Sequence, residues 1–305
     1  MDRRRALAAA DVRWRMLGTS AAPPSSSGSE PSVLRERALS VSVAHRLQVL
    51  FVVLYLLAFL VTSVLHEGAH AAVSALLGGR PVMHHVYVRQ ELTSGASLAW
   101  VAAAGPLFSL FQGLVMALAL PALSRRPPAQ RLFALWLCID GFINFSGYLL
   151  TAPFVRAGDI GKLATLLELS GAARWGLCVV GAAGVLSVGA LATLPLLRFT
   201  PQPELVTEPR GRAHAIVRLG VWPWLLGGAG AALLSIPDTH WISYANTFLA
   251  GFFLVGTWRR SFRVPAPEAP AKQWGGTALW PWLLALGALS LVFTAVLRPG
   301  VRVGW

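Results

Sequence analysis

From Leu47 to Leu65 the chain carries no charged side chain. Six further apolar runs follow, at 97–120, 132–152, 175–197, 219–236, 241–258 and 278–297, interrupted by one carboxylate, Asp140. Runs of this length match the ~30 Å hydrocarbon core of a bilayer. A segment crossing that core must satisfy its backbone polar groups internally, which a helix does. The first run continues to Leu77 and would be roughly 46 Å long as a helix, so it must tilt or project. Hydrophobic residues make up 55% of the chain and charged ones 13%, a balance foreign to soluble domains. These features predict an all-α polytopic membrane protein with about seven transmembrane helices. Between the fifth and sixth runs lie only Pro237, Asp238, Thr239 and His240.

A net charge of +13 would suit a nucleic-acid partner if it formed a patch, but the basic residues punctuate the loops between runs. No nucleic acid is expected; the lipid bilayer is. With seven passages, nineteen Lys and Arg fall on one side and seven on the other, which puts the N-terminus in the cytoplasm and the C-terminus outside. Trp100, Trp175, Trp222 and Trp280 sit near run ends, as interfacial anchors do. The expected setting is a multi-pass protein of a bacterial-type cell membrane. Residues 1–46 differ in kind: Arg3, Arg4, Arg5, Arg13 and Arg15 precede a stretch of Ala, Pro, Ser and Gly, the composition of a disordered basic tail. Three parts are therefore expected: this tail, a core over 47–170, and additional helices over 171–305. Cys138 and Cys178 lie inside apolar runs and read as small buried hydrophobes.

One interruption of the apolar pattern carries chemistry. His66-Glu67-Gly68-Ala69-His70 lies late in the first run. Imidazoles at i and i+4 share a helix face and can bind one Zn²⁺. The glutamate between them is then placed to act on water at the metal. A carboxylate at membrane depth costs about 2.5–3.5 kcal/mol on insertion scales, so it is rarely there without a task.

A catalytic zinc uses three protein ligands, so a third must come from elsewhere. Asp140 and Asp159 are the candidates. Asp159 follows Pro153 and is flanked by Gly158 and Gly161, a sequence that predicts broken, re-entrant backbone, and it is the preferred ligand. Asp140 stays open as the rival. The loop from Arg80 to Leu92 alternates Val and Tyr, predicting a short strand or hairpin whose edge can hold an extended substrate. His84 and His85 within it are further possible ligands, although adjacent strand residues point to opposite faces. Arg156 and Asn144 are candidates for positioning substrate.

The chain resembles the site-2 protease family of intramembrane zinc metalloproteases. The resemblance rests on His66-Glu67-Gly68-Ala69-His70, on Ala104-Gly105-Pro106-Leu107, and on the stretch from Asn144 through Pro153 to Asp159, and it covers about residues 50–165. It implies a three-helix catalytic core, zinc held by His66, His70 and Asp159, Glu67 as general base, and a transmembrane protein as substrate. Ser109 stands where the family commonly has Asn, and Asp159-Ile160-Gly161 where it often has Asp-Gly. The expected activity is hydrolysis of peptide bonds in or near transmembrane segments. Two other readings are a catalytically silent relative acting as a zinc- or helix-binding scaffold, and a metal transporter. Retention of Glu67 favours hydrolysis over the scaffold, and the lack of polar residues in the later runs disfavours transport.

Overall fold

The computed structural model describes residues 30–92, 94–236, 247–265 and 274–304. The chain divides into Met1–His45 and Arg46–Trp305. In the first unit, helix α1 begins at Glu30, so residues 30–45, expected as tail, are helical; most of the expected tail lies outside the described residues.

The second unit is an all-α membrane bundle. α1 runs to Leu76, where Gly78 turns the chain with φ of +81°, a conformation that suits glycine. A hairpin follows, β1 (Val82–Met83) and β2 (Val88–Arg89). Next come α2 (Gly95–Ala119), α3 (Pro128–Thr151), the short α4 (Asp159–Leu166) and α5 (Gly171–Leu197). α6 (Pro209–Ile216) continues through one π turn into α7 (Trp222–Ser235). α8 (Phe253–Ser261) and α9 (Trp280–Leu291) complete the helices, and β3 (Val301–Arg302) ends the described chain. This is the polytopic helical architecture that the apolar runs predict.

Six helices among the described residues are long and apolar enough to cross a bilayer: Val43–Leu76, Gly95–Ala119, Pro128–Thr151, Gly171–Leu197, Pro209–Ser235 and Trp280–Leu297. The expected run at 241–258 is not among them, and its first part, 241–246, lies outside the described residues. β3 pairs antiparallel with β1, so the chain returns to the sheet that follows α1. The segment from Thr247 to Ser261 packs among these helices, its Thr257 hydroxyl donating to the Gly189 carbonyl at 2.9 Å. Thr247 shares a cavity with His66 and Ser235, near the face where α1 ends. At the other end, the Arg212 Nε, at the start of α6, donates to the Ser261 carbonyl at 2.8 Å.

Small residues let the helices approach closely, as packing in lipid demands. A Cβ on Gly141 of α3 would lie 2.7 Å from the Gly113 amide and the Ser109 carbonyl of α2. Likewise a Cβ on Gly189 of α5 would strike the Phe253 carbonyl of α8. Leu54, Tyr55, Trp136, Leu196 and Phe253 fill the centre of the main apolar core. At the opposite end of α1 from this core sits the three-stranded sheet, order β2-β1-β3, which leaves one edge of β2 unpaired among the described residues.

Candidate metal centre

His66 and His70 lie one turn apart on α1 and are both buried. Asp159 is the first residue of α4. The chain reaches it after α3 stops at Thr151 and folds through turns, with the Val155 amide bonded to the Thr151 carbonyl at 2.9 Å. Gly161 allows this fold-back, because a Cβ there would strike the Val155 carbonyl. The broken backbone expected around Pro153 is thus what aims the carboxylate back at α1.

Three atoms converge. The Asp159 Oδ2 lies 3.0 Å from the His66 Nε2 and 3.2 Å from the His70 Nε2, and the two Nε2 atoms are 3.1 Å apart. A tetrahedral ion with bonds of about 2.0–2.1 Å separates its ligands by about 3.3 Å, so the triangle fits a zinc-sized ion. Together the three residues form a group able to hold a metal ion.

The outer nitrogens explain why the inner ones point inward. The His70 Nδ1 donates to the Val101 carbonyl at 2.6 Å. The His66 Nδ1 donates to the Ser109 Oγ at 3.0 Å, and that hydroxyl donates to the Asn144 Oδ1 at 3.2 Å. Such partners select the tautomer in which Nε2 carries its lone pair, as metal-binding histidines require. Three facing lone pairs repel one another unless a positive charge sits among them. Burial alone would raise the Asp159 carboxyl. Without a metal ion a proton takes that place: charge on the His70 imidazole, with hydrogen bonds from both rings, outweighs burial and holds the carboxyl well below the usual carboxylate range. Tyr148 stacks on His66, ring centroids 5.1 Å apart and nearly parallel.

α2 is built to admit these rings. A Cβ on Gly105 would lie 2.6 Å from the His66 Nε2 and closer still to the His70 Nε2. Ser109 and Val101 lie one turn to either side of Gly105 on the same buried face. Sequence reasoning missed the orienting roles of Val101, Ser109 and Tyr148. The legible signal was the Val101, Gly105, Ser109, Gly113 spacing of four, which puts all of them on one face.

Glu67 is buried beside the group and borders a cavity of about 340 Å³. One wall of this cavity is the hairpin, at Val86, Val88 and Gln90; the other is the turn before α4, with Asp159 and Lys162. A smaller cavity of about 60 Å³ is also bordered by Glu67, together with His66, Asn144 and Ser235.

The remaining sequence candidates lie elsewhere. Asp140 is buried outside the metal group, against a cavity of about 30 Å³ that it shares with Thr62 and Ser63. Asn144 hydrogen-bonds to Ser109 and borders the smaller cavity at Glu67, outside the larger cleft. Arg156 is exposed and lines a separate surface pocket with Thr165 and Arg174, not the cleft. His84 donates from Nδ1 to the Arg298 carbonyl at 3.1 Å, and His85 packs edge-on against Phe293; neither belongs to the metal group. No family model, curated protein or solved structure matches the chain.

Proposed function

We propose that this protein is an intramembrane zinc metalloprotease, of the site-2 protease kind, cutting peptide bonds in or near membrane-spanning segments of protein substrates. The observation that carries the reading is the position of Glu67. Glu67 lies between the two histidines of the metal group along one helix and borders a cleft of about 340 Å³. A scaffold that only bound metal would have no use for a proton acceptor there.

A bound Zn²⁺ would supply a Lewis acid and bring the pKa of a water down towards neutrality. His66 and His70 would hold it through Nε2, and Asp159 through Oδ2. The Glu67 carboxylate takes the proton from the attacking water and returns it to the nitrogen of the departing amine. A helical substrate has its carbonyls committed to internal hydrogen bonds, so it must be drawn into an extended form first. The edge of β2 that is unpaired among the described residues offers backbone groups for that, as an added strand would use them. The apolar walls from Val86, Val88 and Val101 exclude bulk water from the reacting bond.

The test compares wild-type protein with Glu67→Gln in detergent or nanodiscs, measuring bound metal by elemental analysis and cleavage of transmembrane peptides. Metal retained with cleavage lost supports the protease. Equal metal content with no cleavage by either protein supports the scaffold. Two imidazoles and a carboxylate also suit Fe²⁺, and the elemental analysis distinguishes it from zinc.

A further inference from the structure

Lys162 borders the cleft from the α4 wall, one turn after Asp159. It is the only cation among the described residues that does so, and its side chain is half-buried. No carboxylate lies within ion-pair distance of its ammonium among the described residues; both ion pairs of Asp159 go to His66 and His70. Arg89, on the strand of the facing wall, is exposed and does not border the cleft. On that same facing wall the Gln90 Oε1 is buried with no hydrogen-bond partner among the described residues. The cleft therefore presents an unpaired ammonium on one wall and an unused acceptor on the other.

Both groups ask for something the protein does not provide. An ammonium withdrawn from water gains most from an anion that enters with a peptide, and a buried amide oxygen gains from a peptide N–H. Of the other titratable groups lining the cleft, His70 and Asp159 belong to the metal group, Glu67 lies beside it, Tyr148 stacks on His66 and Tyr87 on His84, whereas Lys162 lies one helical turn further along α4. A substrate carboxylate would meet Lys162 without competing for the metal.

We propose that Lys162 is a specificity-determining residue that selects substrates carrying an Asp or Glu side chain within a few residues of the bond that enters the metal centre. This inference rests on the peptidase reading, since it takes a peptide to be the occupant of the cleft. A charge pair formed in a partly desolvated cleft sets which partner is accepted and which is repelled.

The experiment uses one apolar transmembrane peptide carrying Glu, Gln or Lys at a single position, scanned along the segment, with full-length protein in nanodiscs. Binding is measured on Glu67→Gln protein and cleavage on protein with Glu67 intact, each with Lys162 and with Lys162→Glu. With Lys162, a Glu peptide should bind about tenfold more tightly than its Gln counterpart, and a Lys peptide more weakly. With Lys162→Glu the order of Glu and Lys peptides should reverse, while metal content stays at the level of Lys162 protein. An unchanged order in the two proteins would overturn the proposal, and so would absence of peptide binding to both. Reversal in binding with no cleavage anywhere would uphold Lys162 and remove the protease reading instead.

Discussion

Gly105→Ala puts the metal centre under the most direct strain. The added methyl would stand 2.6 Å from the His66 Nε2, whereas ordinary contact begins at 3.4 Å, so the ring must retreat by about 0.8 Å. The His70 Nε2 is closer still, so both ligands on α1 are displaced together. Neither ring can simply rotate: His66 is tied to Ser109 and stacked on Tyr148, and His70 is tied to the Val101 carbonyl. Metal sites tolerate ligand displacements of about 0.2 Å. We therefore expect zinc affinity to fall by at least ~100-fold, about 2.8 kcal/mol. The assay is chelator competition on purified protein, with helical content checked by circular dichroism. Gly68→Ala is the control, because a methyl at Gly68 meets nothing within 4 Å, and Ala in a helix is favoured over Gly by ~0.5–1 kcal/mol. Zinc bound by Gly105→Ala at wild-type stoichiometry and affinity would refute the geometry of the centre.

Other substitutions test separate parts. Ser109→Ala removes the acceptor that fixes the His66 ring and should weaken metal binding by ~10–100-fold, read by the same competition. Asp159→Asn should lower zinc content sharply while Asp140→Asn leaves it intact; the reverse result, by elemental analysis, would exchange their roles. Acidification should release the metal, since protons compete for the two Nε2 atoms before they reach the Asp159 carboxyl, which is held low. Metal content constant between about pH 8 and pH 5 would contradict this. Gly189→Val drives a side chain into the Phe253 carbonyl and should cost about 1–3 kcal/mol, measured as a lowered unfolding midpoint in detergent.

Apolar periodicity made the helices legible, because a bilayer leaves a spanning chain few alternatives. The i, i+4 spacing of His66 and His70 made half of the metal group legible, because helix geometry alone puts them on one face. Sequence narrowed the third ligand to two aspartates and preferred Asp159 for its broken backbone, while only the tertiary fold-back at Gly161 brings that residue to α1. Arg156 shows the limit of reading along the chain, for it is three residues from Asp159 yet its side chain lies outside the cleft. Local sequence sets which groups can bind a metal and how far apart they sit on their own helix. Tertiary packing sets everything that joins separate helices: the seat of the imidazoles against Gly105, the Ser109–Asn144 relay, and the return of β3 to the sheet beside the cleft. Those contacts lie across dozens of residues of chain, and no periodicity records a distance of that kind.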